Sequence, residues 1–99
     1  MIVTVFRSRL LDENAAEFLE LADQMLELAQ SMPGFLSYKV YVAEDGERCS
    51  VIEFETREQL LAWRELPEHR AAQALGREQF YVDYSLHVAE PERESRFTR

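Results

Sequence analysis

Cysteine is nearly absent from this 99-residue sequence, in which Cys49 is the only one. A single cysteine excludes an internal disulfide and a zinc site built on paired cysteines. Only His69 and His87 remain as imidazole ligands, so we predict no metal. Glycine is also scarce, with three residues and no glycine-rich nucleotide fingerprint. We therefore predict no bound cofactor.

Basic residues are outnumbered, since 11 Lys and Arg face 19 Asp and Glu for a net charge of −8. Such a surface repels phosphate backbones and anionic lipids, so neither nucleic acid nor membranes are expected as partners. No apolar run approaches the roughly 20 residues of a membrane-spanning helix. The N-terminus also lacks the basic and apolar regions of a signal peptide. These features together predict a cytoplasmic protein.

The sequence does contain a regular succession of strand and helix patterns. Four segments alternate as β-strands do, over residues 2–10, 35–42, 49–55 and 79–88. A polar turn, Glu44 to Glu47, joins the second and third of these segments, and its Asp-Gly pair favours a hairpin.

The first helix is predicted from one apolar stripe. Its members are Phe18, Leu21, Ala22, Met25, Leu28 and Ala29. A capping box of Asn14 and Glu17 would begin the helix, with Asp12 as an alternative cap. Pro33 and Gly34 would end it.

The second helical region opens with another capping box, formed by Thr56 and Gln59. Pro67 interrupts the region and is expected in the first turn of a further short helix. Gly76 is predicted to close that helix, just before the last strand.

The resulting order β-α-β-β-α-β predicts a ferredoxin-like α+β domain over residues 1–90, followed by a charged C-terminal tail over residues 91–99. Its four-stranded antiparallel sheet would carry the helices on one face. The other face would expose Val3, Val5 and Val51, and such an apolar surface is a liability for a monomer. Two sheets packed face to face would cover it, so we predict a homodimer.

Several segments resemble the antibiotic biosynthesis monooxygenase domain family: PGFLSYKV after the first helix, then FETREQLLAW, Leu66-Pro67-Glu68-His69 and ALGREQFYVDYSLHV. The resemblance covers about residues 1–90. It implies a dimeric α/β barrel with a pocket between the helices and the sheet of each subunit. The activities that it implies are cofactor-free oxygenation of phenols and quinols, small-quinol oxidation, and haem degradation.

The haem-degrading branch of this family is matched poorly. That branch has an Asn on the first strand and a His ten positions after the helical Trp. Here Phe6 or Arg7 stands in place of the Asn, and Gln73 follows Trp63 at that distance. Because an amide is not an axial haem ligand, haem degradation is not expected.

The quinol-oxygenating branch is matched better. The resemblance implies that Gln59 orients the substrate, that Trp63 stacks on it, and that His69 acts as base or hydrogen-bond donor. The substrates would be a small aromatic phenol or quinol and O2. Further residues expected to contact the substrate are Phe6, Tyr38, Phe54, Tyr84 and Arg77.

These residues also have structural interpretations. Trp63, at helical spacing from Leu60, is compatible with the core, while His69 and Arg77 are compatible with the surface. Cross-strand packing alone explains tyrosines on strands. Two other functions therefore stay open from the sequence: a small-molecule binding module without turnover, and an accessory dimer that contacts another protein.

Overall fold

The four strands form one antiparallel sheet. The computed structural model describes residues 1–99, and its strands are β1 (Ile2–Leu10), β2 (Phe35–Val42), β3 (Arg48–Phe54) and β4 (Tyr81–Ala89). They lie in the order β2-β3-β1-β4. In the central register, Thr4 of β1 stands opposite Ile52 of β3 and Val88 of β4. The predicted ferredoxin-like α+β fold is confirmed.

Three helices cover one face of the sheet: α1 (Ala15–Ser31), α2 (Arg57–Arg64) and α3 (Pro67–Leu75). The core lies between these helices and the sheet. Its members are Ile2, Met25, Ala29, Ile52, Phe54, Leu60 and Trp63. None of the helices has the length and hydropathy that crossing a bilayer would require.

Helix α1 begins where the sequence predicts, but the predicted capping box is wrong. No side chain caps the helix, which follows a short 3₁₀ turn over Asp12–Asn14. The Asn14 amide instead donates a hydrogen bond from Nδ2 to the backbone carbonyl of Gln79, at 2.9 Å. It therefore ties the start of α1 to the segment before β4.

A β-bulge near the start of β2 changes which side chains share a face. The pairing with β3 shifts between Phe35 and Ser37, so that Phe35 and Tyr38 both face the helices. Strict alternation along residues 35–42 would place Leu36 on the same face as Tyr38. Leu36 is instead the extra residue of the bulge, and it is 47% exposed.

The last strand begins two residues later than predicted, because Gly76–Phe80 forms a π-helical turn. Gly76 continues the helical backbone at φ −58°, so it does not close α3 through a left-handed conformation. A Cβ at this position would overlap the Tyr81 ring. Glycine is required here for the close approach of that ring.

The outer face, which is the side of the sheet away from the helices, carries Val3, Val5 and Val51 at its centre as predicted. Charged side chains such as Lys39 and Glu53 stand beside them. The apolar part of this face is therefore a central patch and does not extend over the whole sheet. After Ala89 the chain has no helix or strand.

Candidate active site

A cavity of about 270 Å³ lies between the helices and the sheet. Three small hydroxyl residues form its floor, Thr4 and Ser8 on β1 and Ser50 on β3, and each is at most 9% exposed. Large apolar side chains at such helix-facing positions would make a solid core. The small residues leave the cavity open. Its volume is close to the lower end of the range of roughly 300–1,000 Å³ that is typical of ligand sites.

Trp63 and His69 form one wall of the cavity. Trp63 lies on α2 and His69 on α3, and the break at Pro67 brings their rings together with centroids 4.3 Å apart. Trp63 Nε1 and His69 Nδ1 are both buried without a hydrogen-bond partner. Because buried polar atoms are normally paired, these nitrogens are suited to pair with a bound molecule.

The environment of His69 favours its neutral form. Burial, together with the smaller effect of the nearby charge of Arg64, lowers the pKa of His69 to about 4. The imidazole is therefore uncharged near neutral pH, with one nitrogen as donor and the other as acceptor.

Tyr38 continues this wall, with its ring 6.1 Å from that of Trp63 between centroids and inclined by 81°. Burial raises the pKa of Tyr38, while Ser50 and the charge of Arg48 act in the opposite direction. The phenol stays protonated and can donate a hydrogen bond.

A second group of rings lines the opposite part of the cavity. Phe6, Phe18 and Tyr84 surround Tyr81, with centroid separations of 5.5, 5.6 and 5.5 Å. Burial raises the pKa of Tyr81 to about 12. Tyr84 is 43% exposed, and this marks an opening of the cavity along β4.

Six of the predicted site residues line the cavity: Phe6, Tyr38, Trp63, His69, Arg77 and Tyr84. Phe54 and Gln59 do not line it. Phe54 is fully buried beneath Trp63, with ring centroids 5.8 Å apart, and it supports the indole from behind.

Gln59 is held away from the cavity by the capping box of α2. Its Oε1 accepts a hydrogen bond from the Thr56 backbone N–H at 3.1 Å, and the Thr56 hydroxyl accepts one from the Gln59 N–H. The predicted capping box is confirmed. Because the amide is bonded there, its placement does not favour the predicted contact with a substrate.

The lining residues that the sequence-based prediction missed include Thr4, Ser8, Arg48, Ser50 and Tyr81. The sequence feature that could have identified such residues is a small or charged side chain at a helix-facing position of a strand that is otherwise rich in apolar residues. Reading that signal requires the strand register, which places Phe6 opposite Ser50 and Ser8 opposite Arg48.

Known proteins match this chain over most of its length. The model of the family described as antibiotic biosynthesis monooxygenase matches residues 1–75. The uncharacterised protein YqjZ of Bacillus subtilis is 32% identical over 93 residues, which are 94% of this chain and 82% of YqjZ.

Two solved structures illustrate the shared fold. Rv0793 from Mycobacterium tuberculosis has a TM-score of 0.83 at 21% identity, covering 96% of this chain and 98% of its own. SnoaB from Streptomyces nogalater, a cofactor-independent oxygenase, has a TM-score of 0.77 at 12% identity and covers 94% of each chain.

Proposed function

Because this chain belongs to the antibiotic biosynthesis monooxygenase family, we propose that it oxygenates a small phenol or quinol with O2 and without a cofactor. The observation that carries this proposal is the pair of buried ring nitrogens, Trp63 Nε1 and His69 Nδ1, that have no partner on an aromatic cavity wall. SnoaB, which has the same fold, is a cofactor-independent oxygenase and supports the assignment. The modest volume of the cavity favours a guest of one or two rings.

The reaction begins when the bound phenol loses its proton. The resulting phenolate passes one electron to O2, which gives a phenoxyl radical and superoxide. Recombination of these two radicals forms a C–O bond at a ring carbon that carries hydrogen, and the resulting peroxide anion takes back the proton that the phenol lost to give a hydroperoxide. Loss of water from the hydroperoxide then leaves a quinone. One oxygen atom of O2 enters the quinone and the other leaves as water, so no external reductant is needed.

The wall residues assist these steps through hydrogen bonds in a dry site. Trp63 Nε1 donates to the substrate oxygen and stabilises the phenolate. A phenolate beside His69 raises the pKa of the imidazole, because an opposite charge favours the protonated ring. His69 therefore accepts the phenolic proton when substrate is bound, although the free protein holds it neutral.

A binding module without turnover is the second candidate, because the same unpartnered nitrogens would also hold a ligand that does not react. The accessory role is less favoured, since a protein that only contacts another protein needs no cavity. O2 consumption separates reaction from binding.

We also propose that the protein is a homodimer, in which two outer faces pack against each other. The central patch of Val3, Val5 and Val51 supports this proposal, since burying such a patch stabilises a small domain.

The function is tested by O2 uptake with 1,5-dihydroxynaphthalene, which the reaction above converts to its hydroxyquinone. We expect His69→Gln to slow uptake by about 100-fold, as for loss of a general base. The matched control is His87→Gln, because His87 lies on the outer face beside Val5, away from the cavity, and sedimentation velocity confirms that its assembly equals that of the wild type. Trp63→Phe keeps a ring but removes the donor, and should slow uptake by about tenfold.

Equal rates for the two histidine variants would remove His69 from the mechanism. Tight anaerobic binding of the naphthol without O2 uptake would support the binding module in place of the enzyme.

A further inference from the structure

The charge on the cavity wall is opposite to the charge on the whole chain. Arg48, Arg64 and Arg77 line the cavity, and no Asp or Glu does, although the chain has 19 acidic residues and a net charge of −8. With His69 neutral, the lining carries three positive charges and none that is negative.

None of these three arginines forms an ion pair within the protein. The ion pairs of the structure use Arg7, Arg9 and Arg96. Arg48, Arg64 and Arg77 make neither an ion pair nor a side-chain hydrogen bond. Arg77 is exposed, but Arg48 and Arg64 are half-buried, and partial removal of a cation from water is costly unless an anion or hydrogen-bond acceptors compensate it. An anionic guest would supply that compensation.

Arg48 is the best placed of the three for such a guest. It lies on β3 at a half-buried position that faces the helices, opposite Ser8. Its guanidinium carbon lies 5.2 Å from the centroid of the Phe18 ring, which holds it against the cavity wall. Its charge acts on both Tyr38 and Tyr81, so it lies near both groups of rings.

The cavity therefore offers two different kinds of contact. Trp63 and His69 present unpartnered nitrogens to a phenolic oxygen. Arg48 presents a planar fork of donors, whose geometry matches the two oxygens of a carboxylate. Tyr38 connects the two parts, since its ring meets that of Trp63 and its hydroxyl region is influenced by Arg48.

We infer that the substrate is an aromatic acid, with its phenol ring at Trp63 and His69 and its carboxylate bound by Arg48. This inference rests on the oxygenase function proposed above and specifies the class of its substrate.

The test compares two compounds that differ by one carboxylate, 1-naphthol and 5-hydroxy-1-naphthoate, in which the hydroxyl and the carboxylate lie on different rings. Binding is measured under argon by calorimetry on the full chain, so that turnover does not contribute. We expect the carboxylate to bind roughly 10-fold to 100-fold more tightly, as for hydrogen bonds to a charged group. Arg48→Gln should remove this preference, and Arg48→Lys should keep part of it because the charge remains.

Arg70→Gln is the matched control, since Arg70 is exposed on α3 outside the cavity lining, and it should keep the full preference. Equal affinity of the wild type for both compounds would overturn the inference, while O2 uptake with 1,5-dihydroxynaphthalene would leave the proposed function standing. A preference that survives in Arg48→Gln would also overturn it. Failure of both compounds to bind would count against the inference and the proposed function together.

Discussion

The imidazole of His69 lies edge-on to the indole of Trp63, with ring centroids 4.3 Å apart and ring planes inclined by 74°. This contact joins α2 to α3 across the break at Pro67 and buries one nitrogen of each ring without a partner. If the two rings only packed in the core, both nitrogens would be expected to have hydrogen-bond partners within the protein. Their lack of partners therefore indicates that they bind a ligand.

The burial of His69 makes stability depend on pH. The pKa of His69 in the folded chain is about 4, below the ordinary 6.5, so the unfolded chain takes up the proton first as the pH falls. The stability is fully present above about pH 6.5 and is lost as the pH falls towards 4. After allowance for partial exposure, we expect a loss of about 1–2 kcal/mol.

Urea unfolding of the wild type and of His69→Gln, at neutral pH and near pH 4, measures this loss. The free energy of unfolding should fall more in the wild type than in the variant, with carboxylate titration common to both. An identical fall in the two proteins would contradict the buried state of the imidazole.

The hydroxyl of Thr4 is buried in the cavity floor without a partner. Thr4→Val keeps the shape and removes the cost of desolvating that hydroxyl, so it should raise the free energy of unfolding by about 1–2 kcal/mol. Thr98→Val, in the exposed tail, is the control and should change nothing.

The same Thr4→Val variant should bind 1-naphthol up to about tenfold more weakly, as for loss of one hydrogen bond between the Thr4 hydroxyl and the bound naphthol. If the variant is more stable than the wild type and binds 1-naphthol equally well, the Thr4 hydroxyl does not contribute to binding.

Gly76 is predicted to be intolerant of a side chain for steric reasons alone. Its φ of −58° suits any residue, but a Cβ would overlap the Tyr81 ring. Gly76→Ala should therefore cost about 1–3 kcal/mol, as overpacking does, and Tyr81→Ala in the same chain should make the added methyl nearly neutral. A thermal unfolding cycle of the four proteins measures this coupling, and simple additivity would contradict it.

The proposed dimer is tested at the centre of the outer face. Val51→Lys places a charge beside Val5 and should shift the protein to a monomer in sedimentation velocity at micromolar concentration. Leu61→Lys, at an exposed position of α2, should leave the assembly unchanged. A wild-type protein that sediments as a monomer would reject the proposal.

The sequence predicts elements whose signals are local. The Thr56–Gln59 box marks the start of α2, and the turn before Phe35 begins β2, because each depends on residues only a few positions apart. The bulge at Leu36 and the π-turn after Leu75 were missed, because they depend on strand pairing and on the contact between Gly76 and Tyr81.

The candidate site was predicted in part for the same reason. Trp63 and His69 belong to one short stretch of sequence, so a family pattern is enough to select them together. The floor of Thr4 and Ser50, and Arg48 beside it, comes from strands about 45 residues apart and becomes visible only through the register. The sequence alone does not distinguish the role of Gln59 as a helix cap, which the structure shows, from the predicted contact with a substrate.

The contrast between the arginine-lined cavity and the acidic exterior has a kinetic consequence. At low ionic strength the net charge of −8 slows the approach of an anion, while the guanidinium groups slow its escape once it is inside. Added salt screens the long-range repulsion first, because it acts beyond the Debye length of about 10 Å at 0.1 M. Added salt should therefore raise the association rate of an anionic guest and shorten its residence time in the cavity. The same change in ionic strength thus speeds both binding and release.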